Sequence, residues 1–190
     1  MTRLPFRSSL SAGRESSGVT PRHEAATVQN TRSMATQSLL IDLLSPDRIK
    51  IPLESADKIG IIGELSTLLA EASGVPEEAE TIRRAVLERE AVLSTGIGGG
   101  VAIPHGKCGA VASLVLVAGR TDSPVDFESL DAQPVRLVLM LVGPESGAVL
   151  HVKVLSKISR LLRTDAVRAR LTAARSAEEF LDAIRDAELH

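Results

Sequence analysis

The sequence predicts a layered α/β or α+β domain of about 150 residues with a short unstructured extension. Two observations carry the class. Apolar runs short enough to be strands, Ser113 to Ala118 and Val135 to Val142, are interleaved with segments of helical periodicity. The composition also breaks near residue 33, where a polar, Arg-rich stretch gives way to a coherent apolar pattern beginning at Met34.

Taken in order, Ser38 to Leu44 is short and apolar, and Ile49 and Ile51 ahead of Pro52 suggest a small strand. Asp57 is placed to cap a helix from Lys58 to Ala72, with Ile61, Ile62, Leu65, Leu68 and Leu69 on one face and Gly74 as its stop. Pro76 opens the next helix, which runs to about Glu90; its early Glu77, Glu78 and Glu80 suit the helix dipole. Val101 to Ile103 reads as extended, because Pro104 disfavours helix at Ile103. After the two apolar runs, Leu150 to Arg163 is amphipathic, with Val154, Leu155, Ile158, Leu161 and Leu162 as its core face. Asp165 to Ala174 and Ser176 to Ala187 read as two further helices, the second with Ser176 and Glu179 in capping-box spacing.

Composition excludes several functions. Aromatic residues are 2% of the chain, with no Trp or Tyr, which leaves no stacking platform for single-stranded nucleic acid. The net charge of -2 argues against a generally basic nucleic-acid binder. Cys108 is the sole cysteine, so no internal disulfide can form and a reducing compartment is the simpler expectation. No apolar run approaches the roughly 18 residues needed to span a bilayer. Residues 1–33 hold six Ser, four Thr and five Arg against two Glu, too little apolar surface to offset the entropy of ordering. They are expected to be a disordered, dispensable tail. From Lys153 to Arg175, seven basic residues face one acid, Asp165; a solvated helix face is favoured over an acidic-partner surface.

The chemistry lies in one stretch, Ser94-Thr95-Gly96-Ile97-Gly98-Gly99-Gly100-Val101-Ala102-Ile103-Pro104-His105-Gly106-Lys107. Its glycines fit neither GxGxxG nor GxxxxGK[ST], so it is not a nucleotide loop of either common kind. His105 stands between a rigid proline and a glycine, which sets the direction of its imidazole and would leave room for a second macromolecule. A neutral imidazole is a nucleophile without strong activation. Read from the residues alone, a structural or surface role for His105 still outweighs that one. Arg89 alone reads as a solvated helix charge and His151 as an ordinary helix-start residue. Cys108 beside His105 makes two potential metal ligands without a third, too few for a metal site.

The stretch Ser94 to Gly98 leading into Val101-Ala102-Ile103-Pro104-His105-Gly106 combines with Arg89-Glu90 upstream. Downstream follow Val125-Asp126-Phe127, Leu130-Asp131, Gln133-Pro134-Val135, Pro144, His151, Leu155 and Ser159-Arg160-Leu161-Leu162. These ordered blocks resemble the type-2 enzyme IIA component of the bacterial phosphoenolpyruvate-dependent phosphotransferase system, the mannitol, fructose and nitrogen-regulatory type. The resemblance implies an α/β domain over residues 34–190, a small mixed β-sheet with helices on both faces. It implies that His105 accepts a phosphoryl group through Nε2. His151 would orient or neutralise the phosphate oxygens, Arg89 would stabilise them, and Thr95, Gly96, Gly98, Pro104 and Gly106 would support the loop. The implied donor is phosphorylated HPr or a nitrogen-branch HPr-like carrier, in the cytoplasm, with no cofactor and no metal. A stand-alone domain of this kind leans to the nitrogen-regulatory branch, acting on a regulatory target; the alternative is a sugar-specific carrier that serves a separate enzyme IIB.

Overall fold

Residues 39–189 are described in the computed structural model of the chain; the tail expected over 1–33 lies outside them. Two short 3-10 turns lead into strand β1 (Ile49–Leu53), followed by helices α1 (Lys58–Ala72) and α2 (Ala79–Glu90). Three short strands follow, β2 (Gly96–Gly98), β3 (Val101–Ala102) and β4 (His105–Lys107), then the long β5 (Val115–Val125) and β6 (Val135–Gly143). Helices α3 (Ala148–Leu161), α4 (Asp165–Ala173) and α5 (Ala177–Leu189) complete the domain.

The strands form one mixed sheet in the order β1-β5-β6-β3-β2, with β4 also on β6. β5 and β6 are antiparallel, whereas β1 runs parallel to β5, and β3 and β4 run parallel to β6. The period of two along a strand divides the core between the two faces. On β6, Leu137, Leu139 and Leu141 join the cluster that includes α3, α4 and α5 residues such as Ile158, Leu171 and Phe180. The intervening Val138, Met140 and Val142 join Ile61, Leu65, Ile82 and Val86 of α1 and α2. This is the expected mixed sheet with helices on both faces, and it explains why β6 reads as a continuous apolar run rather than an alternating one.

Most elements fall where the sequence puts them. α1 has the expected bounds, with the Asp57 carboxylate accepting from Gly60 N at 2.8 Å and Gly74 at a φ of +73° after the end. The second helix begins with a 3-10 turn at Pro76–Glu78 before α2 proper. β5 runs past the expected Ala118 to Val125, including exposed Asp122 and Ser123. Its partner β1 stops at Thr121 and its pairing to β6 shifts register between Arg120 and Val125. Polar residues are tolerated there because one neighbouring strand has ended. The expected capping box at Ser176 is half formed: Glu179 N donates to Ser176 Oγ, but the Glu179 carboxylate accepts from Arg175 N. The basic stretch over α3 and α4 is partly paired within the fold, since Lys157 faces Glu188 at 3.8 Å, Arg170 binds Asp186 at 2.9 Å and Arg168 binds Asp165.

Candidate functional site

The chain from Thr95 to Lys107 makes the site by running out along β2, turning through glycines, and returning along β6. Gly98, Gly99 and Gly100 all have positive φ, at 93°, 63° and 76°. A Cβ on Gly96 would collide with Ser129 Oγ and meet its Cα at 2.8 Å, and one on Gly98 would meet Asp131 at 2.9 Å. The glycines therefore admit the chain's own Ser129–Asp131 segment, whose Asp131 carboxylate accepts from Gly99 N at 2.8 Å. Gly106 likewise corrects the expectation of space left for a visiting protein. It is buried, and a Cβ there would sit 3.3 Å from the Ala85 backbone of α2.

His105 opens β4, its backbone in register with Leu141 of β6, and Pro104 just before it accepts from Leu141 N at 3.0 Å. The ring is half-buried, and its Nδ1 lies 2.8 Å from the Ile103 carbonyl. A carbonyl oxygen can only accept, so Nδ1 carries the hydrogen and Nε2 keeps its lone pair. Burial lowers the pKa of His105, with the Ile103 carbonyl opposing and the Arg89 charge adding to the fall. Its imidazole is thus held neutral, in the tautomer with a nucleophilic Nε2.

His151 comes from the opposite side of the sequence but reaches the same place. It heads the stripe His151, Val154, Ile158 that α3 turns toward the sheet. Its ring centroid lies 5.9 Å from that of His105, with the planes inclined by 59°. The side chain is 5% exposed, its buried Nδ1 has no hydrogen-bond partner, and burial, then His105 and Lys107, bring its pKa down to about 4. Gly143 at the end of β6 makes room for Leu114, which a Cβ there would meet at 2.7 Å, while His151 Nδ1 would lie at an ordinary contact distance of 3.6 Å.

Arg89, in the last turn of α2, donates to the Leu93 carbonyl at 3.0 Å and is close enough for its charge to depress His105. The three residues singled out by sequence thus converge. Lys107 faces Glu145 at 3.6 Å, Cys108 is buried, and no group of three or more potential metal ligands occurs among the described residues. No described helix is long and apolar enough to cross a membrane.

Sequence reasoning missed the support beneath this site. Glu90 continues the buried stripe Ile82, Val86 of α2, a core position for a carboxylate. Its oxygens accept from Thr95 N at 3.1 and 3.2 Å and from Thr95 Oγ1 at 2.5 Å. Lys58, at the first position of α1, closes on Glu90 at 2.8 Å and on Glu128 at 2.7 Å, and donates to the Phe127 carbonyl at 3.3 Å. Burial works to raise the Glu90 pKa, but the Lys58 and Thr95 hydrogen bonds outweigh it and hold it below the usual carboxylate range. The sequence hints at Glu90 through its phase with apolar Ile82 and Val86 and through the Arg89-Glu90 block of the resemblance; nothing local points to Lys58.

Comparison with known proteins agrees with this geometry. Residues 42–187 match the family model for the phosphoenolpyruvate-dependent sugar phosphotransferase system, EIIA 2. The chain is 39% identical over 139 residues to the nitrogen regulatory protein of Bradyrhizobium diazoefficiens, covering 73% of this chain and 90% of that one. It is 38% identical over 145 residues to the fructose-specific EIIABC component of Bacillus subtilis, covering 76% of this chain but only 23% of that longer protein. The crystal structure of the nitrogen regulatory protein IIA-Ntr from Neisseria meningitidis superposes with a TM-score of 0.71 at 31% identity, covering 76% of this chain and 98% of that one. With a mixed sheet that sets two imidazoles and a guanidinium around one loop, and a family match across nearly all the described residues, this chain belongs to the EIIA 2 family of the phosphoenolpyruvate-dependent sugar phosphotransferase system.

Proposed function

We propose that the protein is a phosphohistidine carrier that takes a phosphoryl group on Nε2 of His105 from phosphorylated HPr or a nitrogen-branch HPr-like protein. The observation that carries this reading is the 2.8 Å contact of His105 Nδ1 with the Ile103 carbonyl, which leaves Nε2 as the free lone pair. That lone pair attacks the phosphorus while the bond to the donor's histidine nitrogen breaks and its electron pair returns to the donor ring. The Nδ1 hydrogen stays in place, and the Ile103 carbonyl stabilises the positive charge the ring acquires. The reverse step hands the group on. Phosphoryl transfer needs alignment and charge stabilisation more than bond-making groups, and because the phosphoryl group arrives on a protein the step needs no nucleotide or metal to deliver it.

His151 supports this reading as a neutral hydrogen-bonding partner for phosphate oxygens. With a pKa near 4 before transfer, it is uncharged when the donor arrives. A dianionic phosphoryl group beside it favours its protonated form and draws its pKa upward. Arg89 is permanently charged and needs only to leave the Leu93 carbonyl to offer its guanidinium fork to the same oxygens. Exposed Val149 and Val152 on α3 flank His151 in sequence and suit a docking protein.

The nitrogen-regulatory branch is favoured by the match over 90% of the Bradyrhizobium protein. In that branch the charge added at His105 alters the grip on a regulatory target, in the cytoplasm. The second reading, a sugar carrier serving a separate enzyme IIB, is favoured by the 38% identity to the fructose-specific component. We place the domain at residues 34–190 and treat residues 1–33 as dispensable to it. Labelling with radioactive phosphoenolpyruvate, enzyme I and the host's HPr-like proteins tests the carrier. The label is expected on the intact protein and on a form lacking residues 1–33, and lost in His105→Ala. Full labelling of His105→Ala rejects the acceptor assignment. Passage of the label to a candidate enzyme IIB decides for the sugar branch.

A further inference from the structure

We propose that Lys58 and Glu90 are positioning residues for His105, holding its Nδ1–H tautomer and ring direction through Thr95 and Ile103. The proposal rests on the reading of His105 as the acceptor.

A continuous set of contacts makes the connection. The Lys58 ammonium binds Glu90 at 2.8 Å, and Glu90 takes both the N–H and the hydroxyl of Thr95. The Thr95 carbonyl then accepts from Ile103 N at 3.0 Å, and the Ile103 carbonyl accepts from His105 Nδ1 at 2.8 Å. The links pass through the backbones of Thr95 and Ile103, so they transmit position and no proton moves along them. Fixing Thr95 at its N–H and its hydroxyl fixes where its carbonyl points, and that carbonyl sets the height of Ile103 against the ring.

Helix stability does not account for Glu90. It lies at the C-terminal end of α2, where the helix dipole disfavours a negative charge, and it is 6% exposed. A buried ion pair is a poor source of net stability, so the placement of Glu90 fits a role in fixing geometry. The partner is held with equal care. Lys58 is pinned by Glu90, by Glu128 and by the Phe127 carbonyl, and Glu128 adopts a φ of +54°, an uncommon conformation for a residue with a side chain. The same Phe127 carbonyl accepts from Ser94 Oγ at 2.6 Å, so the strained loop grips the residue before Thr95 as well.

The test combines imidazole nitrogen NMR of the 15N-histidine-labelled protein with the rate of labelling from phosphorylated HPr. Glu90→Gln is the main variant, because the amide keeps the shape but cannot accept from Lys58 and from both Thr95 donors together. Thr95→Val removes the shortest link with little change of volume, and Lys58→Arg is the conservative control for Lys58→Met. His105→Gln assigns the His105 signals. In the unaltered protein His105 is expected as the Nδ1–H tautomer. In Glu90→Gln, Thr95→Val and Lys58→Met, the Nε2–H tautomer becomes populated and labelling slows by about 10-fold to 100-fold. Lys58→Arg restores both. A folded Glu90→Gln and Thr95→Val with the tautomer of the unaltered protein overturn the proposal, whether or not labelling slows. Should the unaltered protein take no label on His105, the carrier reading fails while the tautomer measurement still stands.

Discussion

A single carbonyl decides what His105 can do. The imidazole is symmetric enough to expose either nitrogen, and the Ile103 oxygen at 2.8 Å chooses which one is left for chemistry. His151 illustrates the cost of such a site. It is kept neutral in the folded protein by burial, with a pKa near 4 against an ordinary value of 6.5. An unfolded chain binds a proton at this residue as the pH falls through 6.5, while the folded chain refuses it until about 4. Stability is therefore lost progressively as the pH falls across that window, by on the order of 3 kcal/mol from this residue. Urea unfolding of His151→Gln across the same pH range is expected to show a shallower decline than the unaltered protein; parallel curves would remove His151 from the acid sensitivity. Glu64, held down to about 2 by the Ser55 and Lys50 contacts that overcome its burial, acts later: its contribution to stability is lost as the pH falls from its ordinary 4.5 to about 2.

The short strands β2, β3 and β4 are built by their surroundings. Two or three residues carry no periodicity, and β2 and β4 are too glycine-rich to favour a strand by themselves. β4 forms because Leu141 to Gly143 of β6 offer it a ladder, and β2 forms because it pairs antiparallel with β3 and accepts from Leu130 N at the Gly96 carbonyl, with the Ser129–Asp131 segment pressed close against it. Gly96→Ala tests this at the level of the element. The new methyl group collides with the Ser129 backbone, which has no free rotamer to yield. A loss of about 1–3 kcal/mol by chemical denaturation is expected, together with displacement of Thr95. An unchanged midpoint would mean that the Ser129 segment is free to retreat.

The described residues form a sheet with two cores, and the site lies where elements from both meet. α2, which brings Arg89 and Glu90, packs on one face of the sheet, and α3, which brings His151, packs on the other. β6 runs between them, and both β3 and β4 lie along it, so its integrity governs the spacing of the two imidazoles. Leu139→Ala, at a fully buried position in the middle of β6, is expected to cost about 2–5 kcal/mol. Because the lost side chain faces the α3 side, His151 is expected to loosen before Arg89. Amide hydrogen exchange would show this as earlier deprotection of α3 than of α2; the reverse order would contradict the two-core account.

The long helices, the mixed helix-and-strand class and the resemblance that singles out His105, His151 and Arg89 as candidate site residues are legible in the amino-acid order alone. Periodicity, caps and an ordered series of short blocks are local properties that survive without coordinates: Asp57 and Gly74 mark α1, and Pro104 marks the extended entry to His105. The folded chain adds which nitrogen of His105 is free, the 5.9 Å approach of His151, and the placing of Lys58 and Glu90 beneath the loop. Lys58 meets Glu90 and His151 meets His105 only across long stretches of chain, and the Ile103 carbonyl, though two residues from His105, is a backbone group whose direction no residue type announces. The glycines belong to the same class. Their number is visible in the sequence, but the neighbour that requires each of them is fixed only when the sheet closes.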